Sequence, residues 1–168
     1  MRILGIDPGS QVTGYGIVDE QDGRLRYVAS GCLRVQGEDL AQRLGMIFRE
    51  LSEVVRQYRP QEMAVERVFM HRNADSALKL GQARGAALCA GDCAQLVITE
   101  YTPREIKQAL VGTGAAAKPQ VQHMVKVLLG LDAVPQADAA DALAVALCHG
   151  HTRRTRARIA AAAGDRPS

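Results

Sequence analysis

Residues 135–143 have the sequence PQADAADAL, in which two carboxylates, Asp138 and Asp141, stand three positions apart among alanines. Alanine is the best helix former and Pro135 suits a position just outside a helix start, so this stretch predicts the beginning of a helix. Side chains three residues apart share a helix face, where two like charges repel each other. The pattern favours a divalent cation with oxygen ligands. An equally good explanation of this stretch alone is that both acids complement the helix dipole.

Two further acids follow short apolar strands elsewhere in the chain. Asp7 ends the first strand at an Asp-Pro-Gly turn, and Glu66 ends a later strand. If these strands are parallel neighbours, both acids lie on the rim of the sheet where open α/β folds place their functional crevices. We expect the helix of Asp138 and Asp141 to pack against that rim and complete a cluster of four carboxylates. Taken singly, Asp7 is also explained as a turn-capping residue and Glu66 as a surface acid.

The order of the predicted elements is β-β-β-α-β-α-β-α-α-α, with no internal repeat and no inter-domain linker. The strands cover residues 3–6, 12–18, 25–33, 63–66 and 96–100, and the helices cover residues 39–58, 74–91, about 103–112, 118–130 and onward from 138. The first three strands form an antiparallel meander, and the strand–helix–strand crossovers make the later strands parallel to their neighbours. The sequence therefore predicts one α/β domain over residues 1–150, a mixed five-stranded sheet with helices on both faces.

The composition excludes several classes of protein. Of the 168 residues 47% are hydrophobic, but no apolar run reaches the roughly 18 residues that a membrane span needs. The acid at position 7 interrupts the apolar segment of any signal peptide, and the four cysteines show no zinc-site spacing. We interpret them as reduced thiols and expect a cytoplasmic protein.

The net charge of +3 is unevenly distributed. Residues 151–168 contain five arginines and one aspartate, a net charge of +4, which leaves −1 for the rest of the chain. This basic, alanine-rich and weakly patterned segment is predicted to be a disordered C-terminal tail. Its composition fits an arm that contacts a polyanion as well as it fits a solvated chain end.

Four carboxylates without histidine or cysteine suit hard cations such as Mg²⁺ or Mn²⁺. Two such ions about 4 Å apart can clamp the in-line displacement at a phosphate, because one activates water while the other stabilises the leaving oxygen. The predicted chemistry is metal-assisted phosphodiester hydrolysis.

Several stretches in chain order resemble the RuvC family, the bacterial Holliday junction resolvases of the ribonuclease-H-like fold. They are GIDPG at residues 5–9, VERVF at 65–69, NADSALKLGQARG at 73–85, QVQHMV at 120–125 and PQADAADA at 135–142. Together they span nearly the whole chain. The resemblance implies a structure-selective endonuclease that resolves Holliday junctions in DNA recombination and repair, by paired cuts on two symmetry-related strands.

The resemblance also implies roles for individual residues. Asp7, Glu66, Asp138 and Asp141 match the family's catalytic, metal-binding acids, with two Mg²⁺ ions per active site and Mn²⁺ as a substitute. Lys107 and Lys118 match lysines that the family places against DNA. Thr113 stands where relatives often carry a basic residue, so one backbone contact is expected to be missing. The implied partners are four-way junction DNA, a second copy in a homodimer, and the branch-migration proteins RuvA and RuvB.

Phe69 and Arg72 follow the strand that ends at Glu66 and are further candidates for DNA contact. An aromatic side chain beside the metal site could stack on an unpaired base where strands cross. Without the family resemblance, burial statistics favour a core role for Phe69.

The predicted helix 74–91 offers a candidate dimer interface. Ala77, Gly81, Gly85 and Leu88 recur at three- and four-residue steps, and small side chains there would permit close approach of a second helix. The alternative is that the same face packs on the sheet, which is the more common fate of such a face.

Two other classes of protein remain possible from the sequence. The glycines and acid of residues 5–16 resemble the phosphate loop of ATPases in the actin, Hsp70 and sugar-kinase class, but those enzymes need two such lobes and this chain has one meander. The second is a catalytically silent junction-binding module, which intact acids at all four positions argue against.

Overall fold

The fold is that of a computed structural model, which describes residues 1–67 and 73–164. The strands are β1 (Arg2–Asp7), β2 (Val12–Gln21), β3 (Arg24–Arg34), β4 (Glu62–Glu66) and β5 (Val97–Tyr101). The helices are α1 (Leu40–Tyr58), α2 (Ala74–Cys93), α3 (Pro103–Val111), α4 (Lys118–Leu129) and α5 (Ala137–Gly164). The order and type of every described element agree with the predicted series, which confirms the α/β fold class.

The five strands form one mixed sheet in the order β3-β2-β1-β4-β5. β1–β2 and β2–β3 are antiparallel, whereas β1–β4 and β4–β5 are parallel. The β2–β3 hairpin closes at Asp22 and Gly23, whose positive φ angles of 50° and 70° suit an Asp-Gly turn. In the β1–β4 ladder Ile6 lies opposite Val65, so the next residues, Asp7 and Glu66, leave the same rim of the sheet side by side.

Alternating residues of each strand point to two separate apolar layers. On one face Ile3 and Val18 pack with α3, α4 and α5. On the other face Leu4 and Ile17 pack with α1 and α2. Because both faces are covered, the middle residues of β1, β2 and β4 are buried, and the polar groups at the ends of these strands remain accessible at the rim.

α5 lies so close to the sheet that some residues of β1 and β2 beneath it must lack a side chain. A Cβ atom placed on Gly14 would be 2.0 Å from the carbonyl oxygen of Asp138, and one on Gly5 would be 2.2 Å from the carbonyl oxygen of Ala142. On Gly16 the Cβ would meet the backbone nitrogen of Leu143 at 2.7 Å. The glycines of β1 and β2 therefore bring the start of α5 into direct contact with the sheet backbone.

The structure corrects the prediction for the C-terminal segment. α5 continues to Gly164, so residues 151–164 are helical where the sequence predicted a disordered tail. Part of the basic charge is neutralised within the chain, because Arg153 forms salt bridges with Glu20 and Glu62. An alanine-rich sequence with good helix formers extends an existing helix at little cost.

Among the residues that the structure describes, no helix combines the length and the apolar character needed to cross a membrane.

We predict that Gly14→Ala lowers the free energy of unfolding by about 1–3 kcal/mol, because the added methyl must displace the backbone at Asp138. Gly45→Ala is the matched control. Its Cβ would meet only the flexible end of Arg49 within α1, and exchanging a helical glycine for alanine stabilises by roughly 0.5–1 kcal/mol. Urea unfolding of both variants measures the difference. Equal stability of Gly14→Ala and the parent protein would contradict the close packing of α5.

Candidate active site

Three elements bring the four predicted acids to one end of the molecule. Asp7 is the last residue of β1 and Glu66 is the last residue of β4, while Asp138 and Asp141 lie in the first turns of α5. Asp7 pairs across the sheet with Gly14, and Gly14 is the residue on which the backbone of Asp138 rests. The parallel strand pair and the close approach of α5 together place the acids beside one another.

Burial and mutual repulsion disfavour the ionised form of the carboxylates in this cluster. The pKa of Asp7 is raised to about 7, mainly by burial and further by the charges of Glu66, Asp141 and Asp138. The pKa of Glu66 is also raised to about 7 by burial and by Asp141. Ionised carboxylates at such positions are costly unless a positive charge lies nearby, so the site favours binding of a cation.

A lysine and a glutamine of α4 contact one of the acids directly. The Lys118 ammonium forms a salt bridge with Asp141 Oδ2, and the Gln122 amide nitrogen lies 3.4 Å from Asp141 Oδ1. The hydrogen bond to Asp141 raises the pKa of Lys118. Gln122 was not recognised from the sequence. Its position four residues after Lys118, on the same face of α4, is the signal that would have found it.

A cavity of about 330 Å³ opens beside the acids on the side of α3 and α4. The lysines predicted to contact DNA both line it, and the charge of Lys107 also acts on Glu66 to oppose the rise in its pKa. The cavity therefore has carboxylates that could bind a metal ion next to lysines that could bind a phosphate group. Its lining consists of Glu66, Pro103, Ile106, Lys107, Lys118, Val121, Asp141 and Ala144.

The donor set fits a hard divalent cation, because it consists of carboxylate oxygens in a site whose net charge is negative. In residues 1–67 and 73–164, no three histidine, cysteine, aspartate or glutamate side chains converge closely enough to hold a metal ion in their present orientations. Asp141 Oδ2 is paired with the Lys118 ammonium group. A cation would compete with the ammonium group for that oxygen.

The chain that leaves the site after Glu66 is tied to neighbouring elements. Glu100 on β5 forms salt bridges with Arg84 of α2 and, at 3.4 Å, with Arg67. Arg67 N also donates a hydrogen bond of 2.7 Å to the Tyr101 carbonyl. Sequence reasoning missed these contacts, because nothing in the local pattern relates Glu100 to either arginine. They fix the direction of the strand end that carries Glu66.

Two of the predicted DNA-contacting residues, Phe69 and Arg72, lie outside the described residues. The base-stacking hypothesis for Phe69 stays a prediction.

The raised pKa values predict how the metal-free protein responds to pH. Because the folded state binds protons at Asp7 and Glu66 more tightly than the unfolded chain does, these groups make the unfolding free energy fall as pH rises from about 4 to about 7. Asp7→Asn and Glu66→Gln should therefore gain stability relative to the parent protein between pH 5 and pH 8. The measurement is urea unfolding in EDTA.

Glu53→Gln on the surface of α1 is the control for that experiment. The pKa of Glu53 is lowered by its pairing with Arg56, so this variant should show no such gain with rising pH. A stability difference between Asp7→Asn and the parent protein that is independent of pH would show that Asp7 has an ordinary pKa.

Comparison with known proteins agrees with this geometry. The family model of crossover junction endodeoxyribonuclease RuvC matches residues 3–149. The crossover junction endodeoxyribonuclease RuvC of Tolumonas auensis is 58% identical over 158 residues, which is 94% of this chain and 91% of that protein. The structure of Thermus thermophilus RuvC superposes with a TM-score of 0.85 at 37% identity, covering 92% of this chain and 96% of the other.

The structure of Thermus thermophilus RuvC in complex with a Holliday junction substrate is similar to the same extent, with a TM-score of 0.83, 36% identity and coverage of 92% of this chain and 96% of that one. A family match over most of the chain, a relative of high identity and a shared fold all lead to one assignment. The chain belongs to the RuvC family of crossover junction endodeoxyribonucleases.

Proposed function

We propose that this protein is a metal-dependent endonuclease that resolves Holliday junctions during DNA recombination and repair. The observation that carries the proposal is that the charges of Glu66, Asp138 and Asp141 all act on Asp7, beside a lysine-lined cavity and in a chain of the RuvC family. The Thermus thermophilus relative has a structure in complex with a Holliday junction substrate, which supports the same class of substrate here.

The four acids would hold two Mg²⁺ ions, with Mn²⁺ as a substitute. Divalent cations at such a site activate the attacking water and offset charge on the phosphate as the bond to the leaving oxygen breaks. The carboxylates of Asp7 and Glu66 must be ionised to bind them, which their raised pKa values make dependent on pH.

The lysines have a separate part in the mechanism. Lys107 and Lys118 line the cavity beside Glu66 and Asp141, where each could donate to a non-bridging phosphate oxygen of the DNA backbone. Lys118 would exchange its salt bridge with Asp141 for that phosphate. The exchange frees a carboxylate oxygen for the cation at the moment when the backbone is in place, so substrate binding and metal binding support each other.

We place the C-terminal half of α5 away from the bond that is cut. A helix of 28 residues is about 42 Å long, and Asp138 is at its first turn. Arg153 is already paired with Glu20 and Glu62, which reduces the charge available to DNA. Any contact of the remaining tail arginines would therefore be with a distant part of the junction.

The protein would act as a homodimer, because resolution requires two cuts and each chain supplies one site. α2 is the candidate interface. Its buried residues include Ala83, Ala87 and Ala90, whereas a Cβ placed on Gly81 or Gly85 would have no neighbour within 4 Å among the residues that the structure describes. These two glycines thus lie away from the buried face of α2, and a second helix could approach closely there.

The remaining partners follow from the proposed role. RuvA and RuvB would supply branch migration to the junction, and the protein would act on its DNA substrate in the cytoplasm. Membership of the RuvC family argues against the ATPase alternative, and nucleotide-dependent thermal stabilisation would be needed to revive it. The cleavage experiment below distinguishes a nuclease from a module that binds the junction without cutting it.

Asp7→Asn, Glu66→Gln, Asp138→Asn and Asp141→Asn should each lower cleavage of a labelled four-way junction by about 100-fold or more, because each removes a charge that the metal site requires. Binding to the junction in EDTA should change by less than about threefold, since phosphate contacts elsewhere supply most of the affinity. Asp132→Asn is the matched control, an exposed aspartate outside the cluster that should cut normally.

The same assay compares the junction with linear duplex, with and without Mg²⁺. Near-normal Mg²⁺-dependent turnover in any two of the four variants would overturn the assignment of the site. Junction binding by the parent protein without any metal-dependent incision would identify a silent binding module instead.

Mixing parent chains with Glu66→Gln chains tests the dimer. Mixed dimers carry one working site, so a cruciform plasmid should be nicked to open circles and rarely linearised. Mixing with Asp132→Asn chains should leave linear product unchanged. Paired cutting by a species that sediments as a monomer on the junction would disprove the dimeric mechanism.

A further inference from the structure

His149 is a buried polar residue in the apolar layer between α5 and the sheet, with only 4% of its surface exposed. Its Nδ1 lies 2.9 Å from the Tyr101 hydroxyl, and its Nε2 lies 2.5 Å from Glu62 Oε2. The neutral ring satisfies both partners when the Tyr101 hydroxyl donates to Nδ1 and the Nε2 hydrogen is donated to Glu62. A buried imidazole with two satisfied nitrogens gives α5 a directional link to two different strands.

One turn further along α5, Arg153 extends this link. Its Nε lies 3.1 Å from Glu62 Oε1, and its Nη1 lies 3.2 Å from Glu20 Oε2. Glu62 is the first residue of β4, and Glu20 lies near the end of β2, which runs antiparallel to β1. The contacts therefore fasten α5 to the rim of the sheet opposite the four acids.

Tyr101 connects this network to the catalytic rim. It lies opposite Glu66 in the parallel β4–β5 ladder, and its carbonyl accepts the hydrogen bond from Arg67 N. Its hydroxyl contacts His149, which is eleven residues after Asp138. Eleven residues are close to three helical turns, so both side chains lie on the same face of α5, about 16 Å apart along its axis. One residue thus contacts the strand end of Glu66 through its backbone and the helix of Asp138 through its side chain.

We propose that His149, with Tyr101 and Glu62, is a positioning network that sets where α5 lies along the sheet and thereby the spacing between Glu66 and the acids of α5. The proposal rests on the proposed metal-dependent function. The buried face of α5 carries Leu143, Val145 and Leu147 among several alanines, whose small side chains offer less steric resistance to slight axial shifts or rotation than large ones would. Directional hydrogen bonds add to the resistance that packing supplies, and the repulsion among the acids is a force that both must oppose.

The experiment measures metal binding directly, by titrating Mn²⁺ into the full-length protein without DNA and following free Mn²⁺ by electron paramagnetic resonance. Tyr101→Phe removes only the hydroxyl, and Glu62→Leu removes the acceptor. Each should weaken Mn²⁺ binding by about 10-fold, the low end of the effect that loss of a group orienting metal ligands has. Glu62→Gln retains an acceptor oxygen and should bind Mn²⁺ as the parent protein does.

A control variant separates positioning from stability. Val54→Ala removes two methyl groups from the core between α1 and the opposite face of the sheet, so it should lower the melting temperature without changing Mn²⁺ affinity. In cleavage assays, Tyr101→Phe and Glu62→Leu should need more Mg²⁺ for half-maximal rate and approach the parent rate at saturation, while junction affinity in EDTA is unchanged.

Two results would overturn the proposal, and they are distinguishable. If the parent protein binds Mn²⁺ and both network variants bind it equally well while losing thermal stability like Val54→Ala, the network is structural only. If the parent protein itself binds no Mn²⁺, the metal-dependent function fails and the positioning role fails with it.

Discussion

The contact of the α5 backbone with the glycines of β1 and β2 is the constraint on which the rest of the structure depends. Gly14 connects the two halves of the site, because it pairs with Asp7 in the sheet and lies against Asp138 of the helix. Any side chain there would move the helix outward and separate the acids of α5 from those of the strands. Close packing at this point is thus a requirement of the chemistry as well as of the core.

The close packing has an electrostatic consequence. Burial, and after it the charge of neighbouring carboxylates, raises the pKa of Asp7 and Glu66 and opposes folding at neutral pH. The apolar layers on both faces of the sheet stabilise the fold against this repulsion, since they bury residues of β1, β2, β4 and β5 and pack against partly buried residues of β3. Lys118 offsets some of the charge through Asp141. A bound cation would relieve the remaining repulsion, so this site favours cation binding more strongly than a single surface carboxylate would.

Much of this arrangement could be predicted from the sequence, for reasons that are physical. Alternating and three-to-four-residue apolar patterns reflect the periods of strands and helices, and they gave the order of elements. The rule that parallel strands end on one rim placed Asp7 beside Glu66 before any coordinates. Local patterns also mark helix starts: α3 begins with a capping box formed by Thr102 and Glu105, and Asn73 caps α2.

The parts that could not be predicted depend on residues that are distant in sequence. Gln122 on Asp141, and Glu100 between two arginines, arise only when separate elements pack together. The C-terminal segment was misjudged for the same reason, because the pairing of Arg153 with Glu20 joins residues 133 positions apart. From the sequence alone, a run of arginines resembles a solvated tail, because the glutamates that pair with Arg153 are distant in sequence.

The two ends of α5 therefore have opposite electrostatic character. At its start the helix brings acids to other acids, where contact is unfavourable without a cation. At the far rim it brings His149 and Arg153 to acids, where contact is favourable in the protein alone. Because a helix is stiff over this distance, attraction at one end can restrain a helix whose other end is repelled. This balance allows a cluster of mutually repelling acids to persist in a folded chain, which supports the proposal that a cation supplies the opposing charge there.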